Sequence, residues 1–185
     1  MQHDLIMDLY LTEPVGPFHT AARATNTFTA KQDVSPSPVP VIPAGKLRAG
    51  TKLHIRAAGD YTTTGTPNLT LGFWLGTRAL AITVDIALTS VITTATATAW
   101  PWWMEWDGLC TAVGTAGTLL GQGQAQLGSA LTTFNSEVPL PITAALRTVT
   151  IDTTIERAIG VSATWSASSA SNQVTVNNHR VLILN

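Results

Sequence analysis

Residues 51–59 read TKLHIRAAG, and this stretch decides the fold of the chain. The apolar Leu53, Ile55 and Ala57 alternate with the polar side chains at positions 52, 54 and 56. A period of two places apolar side chains on one face of an extended chain and polar side chains on the other. The stretch therefore predicts a half-buried β-strand.

The same period recurs through the rest of the sequence. Residues 68–75, NLTLGFWL, repeat it, and residues 80–88 continue it, although alanines at 79, 81 and 87 leave a helix open as an alternative there. Further extended segments are expected at 109–113, 118–127, 147–155, 158–165 and 173–184. They are separated by Gly, Pro and Ser turns without helical patterns, which predicts an all-β, antiparallel β-sandwich or barrel of about 8–10 strands.

The composition agrees with this prediction and adds a functional indication. Thr, Val and Ile, the β-branched residues that suit a pleated surface, account for 54 of the 185 residues. Charged residues make up only 11% of the chain, against roughly 25% in an average soluble domain. Because a charge-poor surface is a colloidal liability for a freely diffusing protein, we expect neighbours in an assembly to cover much of it.

Several classes of protein are disfavoured by charge and motif content. The net charge is −1, too balanced to supply the field of a nucleic-acid binder. No apolar run is long enough for a membrane span, and the N-terminus does not resemble a secretory signal. The single Cys110 forms no internal disulfide, and neither zinc-site spacing nor a phosphate-binding, dinucleotide-binding or hydrolase motif occurs. We therefore expect no enzyme activity, no cofactor and no metal, and a small-molecule ligand is disfavoured.

The chain divides into three parts. Residues 1–16 form an apolar N-terminal arm, either a short helix or an extended segment, which we expect to dock on a neighbouring subunit; a frayed terminus is the alternative. Residues 17–43 hold a first strand at 19–30 and a proline-rich connection at 34–43, and residues 44–185 form the sandwich. The interface candidates in the arm are Leu5, Ile6, Leu9, Tyr10 and Leu11.

Four tryptophans within residues 100–106 are the most unusual local feature. Trp100, Trp102 and Trp106 share one strand face, and Trp103 lies on the other. This pattern favours packing in the core or at an interface, where Trp anchors are enriched, and all four are interface candidates. A sugar-binding platform is the alternative.

One local concentration of cations occurs at Lys46, Arg48, Lys52 and Arg56, whereas residues 79–146 contain no Lys or Arg. We interpret this concentration as a solvated strand face or a contact to an acidic partner. Paired carboxylates for glycoside hydrolysis would have to come from eleven scattered acids, such as Glu105 and Asp107, which is a weak indication.

The segments 41–59 (VIPAGKLRAGTKLHIRAAG), 62–72 (TTTGTPNLTLG) and 165–176 (WSASSASNQVTV) together resemble a group of tailed-bacteriophage virion proteins. The resemblance covers roughly residues 38–184 and rests on structural turns. It implies a jelly-roll sandwich of the tumour-necrosis-factor-like type, often trimeric, with no catalytic residues to carry over.

The resemblance implies a structural virion protein, assembled in the host cytoplasm. We expect a capsid decoration (cement) protein that forms a homotrimer, binds the major capsid protein on the outside of the phage head and stabilises contacts between capsomers. The alternative is a tail-fibre or baseplate module that binds host-surface glycans.

Overall fold

The computed structural model describes residues 28–77, 79, 81–130, 133–141 and 143–184. The arm at 1–16 and most of the strand expected at 19–30 lie outside the described residues. Residues 28–30, the described end of that expected strand, are not a strand, and the buried side chain of Phe28 joins the core from irregular backbone. The strand prediction was therefore wrong for these three residues.

The described part of the chain is built from strands and one four-residue 3₁₀ helix, Ala144–Arg147. The strands are β1 (Gln32–Asp33), β2 (Val41–Ile42), β3 (Lys52–Thr63), β4 (Asn68–Gly76), β5 (Ile82–Leu88), β6 (Ile92–Thr93), β7 (Ala97–Ala112), β8 (Gly117–Ala130), β9 (Thr133–Leu140), β10 (Thr148–Ile151), β11 (Arg157–Trp165) and β12 (Gln173–Leu184). Among the described residues, no helix has the length and apolar character required to span a bilayer.

Two antiparallel sheets contain these strands. The larger sheet has the order β10-β8-β7-β3-β12, with β9 also paired to β8. The smaller sheet has the order β1-β11-β4-β5, with β2 paired to β11 and β6 to β4. The prediction of an all-β, antiparallel sandwich is confirmed at this level.

One apolar core lies between the sheets. Leu53, Ile55 and Ala57 of the larger sheet have no exposed surface, as their alternation predicted. The alternate side chains of β4 that face them are buried in the same cluster. The His179 ring, from the larger sheet, stacks on the Phe73 ring of the smaller sheet with centroids 6.4 Å apart, so the two sheets meet face to face.

The segment with alternating apolar residues at 80–88 forms strand β5, so its helical alternative is wrong. Its alternation is interrupted, because the register with β4 shifts between the pair Phe73 with Ala87 and the pair Trp74 with Asp85. Both Ile86 and Ala87 are consequently buried. A bulge of this kind rotates successive side chains away from strict alternation.

The proline-rich connection lies along the edge of the smaller sheet. The Val34 amide donates to the Val161 carbonyl and the Ile159 amide donates to the Pro40 carbonyl, each at 2.9 Å. Between these bonds the prolines interrupt pairing, since proline has no amide hydrogen for a ladder. The expected exclusion of this segment from a central strand agrees with its edge position.

Candidate functional site

Strand β7 separates its tryptophans between two environments. Trp102 and Trp106 face the core and are 1% and 0% exposed. The Trp102 indole N–H donates to the Asp60 carbonyl at 3.1 Å. These two side chains therefore lie in the core, the first of the two locations that the sequence left open.

The packing of the Trp106 indole requires glycine at two positions next to its ring. Its six-membered ring occupies the space that a Cβ at Gly108 or Gly121 would fill. These glycines face each other on β7 and β8, so the ring lies flat on bare backbone. This indole is therefore the reason that position 121 requires glycine.

Trp100 lies half-buried at the margin of the core. Its ring meets the Tyr61 ring edge to face, with centroids 6.3 Å apart and planes at 82°. The Tyr61 hydroxyl donates to the Gly128 carbonyl at 2.7 Å, and burial raises the pKa of that phenol. Trp100 thus closes one end of the core, and its interface role stays a prediction.

Trp103 points the other way, onto the outer face of the larger sheet. The Arg56 guanidinium carbon lies 5.7 Å from the centre of its ring, within the range of a cation–π contact. Its indole N–H donates to the Gln126 side-chain oxygen at 3.2 Å. The ring is half-buried, so of the four tryptophans it is the one that presents a ring surface on an open sheet face.

The outer face of the larger sheet is an ordered array of side chains. Four rows cross it, each taking one residue in turn from β12, β3, β7 and β8. The rows are Leu184, Lys52, Leu109 and Leu120; Leu182, His54, Asp107 and Gln122; Arg180, Arg56, Glu105 and Gln124; and Asn178, Ala58, Trp103 and Gln126. We call this array the outer array.

The charges of the outer array are divided between its two halves. The half on β12 and β3 carries Lys52, Arg56 and Arg180, whereas the half on β7 and β8 carries Glu105 and Asp107. Among the described residues, the three cations form no ion pair, because the ion pairs there are Lys31 with Asp85 and His54 with Asp107. The surface is therefore basic on one side and acidic on the other.

A shallow apolar cavity lies at one end of the outer array. It has a volume of about 600 Å³ and lies over the first row. Leu109, Leu120 and Leu184 line it, with Lys52 and Arg147 among its charged neighbours. Leu120 is 45% exposed, an unusual value for a leucine on a strand.

The outer face of the smaller sheet also carries a tryptophan, but that face is closed. Trp74 is 0% exposed, and its ring lies across the bare backbone of Gly160. Its indole N–H donates to a carboxylate oxygen of Asp33 at 3.2 Å, and the amide of Ser35 donates to the same oxygen at 3.1 Å. Ser35 in turn accepts from the Val161 amide at 2.7 Å, which anchors the covering segment to β11.

The titratable groups considered for chemistry are engaged in other contacts. Glu105 accepts from the Gln124 amide at 3.2 Å, and Asp107 bonds the His54 ring at 2.8 Å. Burial raises the pKa of the Cys110 thiol, which donates to the Ala112 carbonyl at 3.3 Å. In the described ranges, no group of three His, Cys, Asp or Glu side chains is placed to hold a metal ion.

The arm candidates Leu5, Ile6, Leu9, Tyr10 and Leu11 lie outside the described residues, and their interface role stays a prediction. Sequence reasoning missed Arg180 and the leucines of the cavity, because Arg180 and Leu184 join the array through the pairing of β12 with β3, and Leu109 and Leu120 through the pairing of β7 with β3 and β8. It also missed the cover on Trp74.

A comparison with models of protein families, with curated proteins and with solved structures found no match for this chain.

Proposed function

We propose that this chain is a structural protein of a tailed-phage virion, a decoration protein that binds the outside of the head. The outer array is the observation that carries the proposal. It is broad, ordered and divided in charge, with Trp103 in its last row, which suits binding to a protein surface. A catalytic site would instead need titratable groups that converge on a substrate-sized pocket.

The topology supports the jelly-roll part of the proposal. Strand β3 pairs with β12, and the next long strand, β4, pairs with β11. The first long strand thus pairs with the last, and the second long strand pairs with the last but one. This order is typical of jelly rolls, in which a long antiparallel pair of strands is rolled up into a sandwich. A trimer built from such rolls remains the expectation from the resemblance.

Decoration works by mass action. A protein that binds only the assembled, expanded shell lowers the free energy of that shell relative to its opened or dissociated forms. Contacts spread over a wide face suit this role, since they bridge neighbouring capsomers without a deep pocket. The major capsid protein would then be the principal partner, and the arm at 1–16 would reach across subunit boundaries.

The test is reconstitution on particles that lack this chain. We expect purified protein to bind such heads at a fixed copy number and to raise the temperature at which they release DNA. Binding to tails alone, or to no part of the particle, would contradict the proposal. Removal of residues 1–16 should reduce occupancy on heads, with the free oligomer unchanged in mass.

A second candidate function, glycan binding by a tail-fibre or baseplate module, is favoured by one observation. Trp103 presents part of its ring beside Arg56 and Gln126, and aromatic faces with polar neighbours stack on sugars. A glycan array that compares the wild type with Trp103→Ala separates the two functions. Head binding without glycan binding supports decoration, and glycan binding that Trp103→Ala abolishes supports the module.

A further inference from the structure

We propose that the outer array binds the outer array of a second copy of this chain, about a two-fold axis that runs parallel to the strands between β3 and β7. This inference goes beyond the proposed function and concerns the free protein, since it follows from the charges and shapes of one sheet face. A second copy and a phage head would compete for the outer array, so self-association and head binding are alternative uses of the same face. The partner is identical to the chain itself.

The division of charge is the first argument. A two-fold axis parallel to the strands places each half of one face over the opposite half of its partner. The basic half on β12 and β3 then meets the acidic half on β7 and β8. Arg56 of one copy lies over Glu105 of the other, and the symmetry repeats this contact. Such complementarity favours one partner and one register.

Shape agrees with charge in the fourth row, where the axis places the large Trp103 over the small Ala58, and Asn178 meets Gln126. In the first row it places Leu184 over Leu120, which closes the apolar cavity, and Lys52 over Leu109. In the second row His54 meets Asp107, and Leu182 lies over Gln122.

Other positions of the axis are disfavoured by electrostatics. An axis centred on β3 would place Arg56 against its own copy, and one centred on β7 would do the same for Glu105. An axis perpendicular to the strands would place the basic half over the basic half. Like charges in direct contact across an interface cost several kcal/mol, so the axis between β3 and β7 is selected.

The area suits a weak contact. Four strands spaced at about 4.8 Å and seven residues at about 3.4 Å each give a face of roughly 460 Å² per copy. Twice that area, roughly 900 Å², lies below the usual range for stable protein–protein interfaces of about 1,200–2,000 Å² and within that of weak, transient complexes. The cations of the array also have no intrachain ion pair to lose among the described residues.

The experiment uses the full chain and two single variants, Arg56→Glu and Glu105→Arg. Each variant places like charges across the axis twice, so we expect each to weaken the two-fold contact at least about tenfold, a loss of about 1.4 kcal/mol. Sedimentation velocity should show particles of half the wild-type mass, whatever other contacts the protein makes. Arg48→Glu, with the same charge change in the loop before β3, should keep the wild-type mass.

Mixing the two variants is the decisive step. The carboxylate introduced at position 56 then meets the guanidinium introduced at position 105, and the natural Arg56 of one variant meets the natural Glu105 of the other. We expect equimolar mixing to restore the wild-type mass. Damage to the fold of either variant cannot produce this restoration, which makes the result specific to the contact.

Three outcomes would overturn the proposal. The wild type shows no self-association; the wild type associates but both variants keep its mass; or the mixture stays at the lower mass while circular dichroism shows both variants folded. The second outcome would show that self-association uses another surface, and residues 1–27 would be one candidate for it. Each of the three would leave the outer array free for a phage head, so failure here leaves the proposed function standing.

Discussion

Each sheet of this protein carries one tryptophan on its outer face, and the two have opposite surroundings. Trp74 of the smaller sheet is 0% exposed, covered by the segment that contains Asp33 and Ser35. Trp103 of the larger sheet is half-buried and contacts two side chains of its own sheet, Arg56 and Gln126. The smaller sheet thus supplies its own cover, whereas the larger sheet leaves its outer face open.

This difference indicates what each face does. A tryptophan that the chain covers itself contributes to the stability of the monomer, because its apolar area leaves water on folding. A tryptophan on an open face with divided charges becomes fully buried only when another protein surface binds to that face. The substitutions below test that distinction, beginning with the largest expected effect.

Trp74→Ala should lower the free energy of unfolding by about 3–5 kcal/mol, because it removes a fully buried indole and leaves a cavity. Trp103→Ala should lower it by about 1 kcal/mol, since a half-buried ring and one cation–π contact are lost. Urea denaturation at one low protein concentration measures both. Equal losses would show that the two faces do not differ in the way described.

Gly160→Ala should cost about 1–3 kcal/mol, because a Cβ there would overlap the Trp74 ring and the Ser35 hydroxyl. The matched control is Thr164→Ala, on the same strand and the same outer face, with an expected loss below about 1 kcal/mol. The same urea experiment applies. A Gly160→Ala protein as stable as the control would mean that the covering segment does not press on the ring.

Asp33→Ala should destabilise the monomer by about 1–3 kcal/mol, since it leaves the buried Trp74 N–H and the Ser35 amide without their shared acceptor. Asp33→Asn keeps a side-chain oxygen and should cost less. Near-ultraviolet circular dichroism should report a changed environment for the indole in the alanine variant. An unchanged spectrum together with wild-type stability would contradict this role for the carboxylate.

The smallest effect is expected on surface that belongs to neither outer face. The Thr154 hydroxyl and amide donate to Asp152 at 2.6 and 2.8 Å, and these bonds hold the pKa of that carboxyl below its usual value. A lowered folded-state pKa stabilises the fold above the unfolded pKa, and the contribution disappears as pH falls through the folded pKa. The small stability difference between wild type and Asp152→Asn should therefore shrink as pH falls below about 4, the ordinary pKa of an aspartate. A difference that grows as pH falls would contradict the assignment.

Local pattern was sufficient for much of the fold. The alternation of Leu53, Ile55 and Ala57 predicted their burial, and the period of two across β7 assigned Trp102 and Trp106 to one face and Trp103 to the other. These predictions succeed because side-chain direction in a strand depends on neighbours in sequence.

What the pattern could not provide is the order of strands. Arg180 and Arg56 lie side by side although they are far apart in sequence, and nothing near either residue indicates that pairing. The cover over Trp74 likewise depends on residues about forty positions earlier, which contact it only through the edge pairing of β1. Both features arise from tertiary contacts, so the outer array was visible in sequence only as scattered charges.

Hydroxyl-radical footprinting of the two outward tryptophans tests the central claim most directly. In the wild-type assembly we expect both Trp74 and Trp103 to resist oxidation, whereas in Glu105→Arg, which keeps Arg56 over the Trp103 ring, only Trp103 should become reactive and Trp74 should remain protected. Equal oxidation of Trp103 in the wild type and in the variant would contradict the claim that another protein surface covers the outer face of the larger sheet.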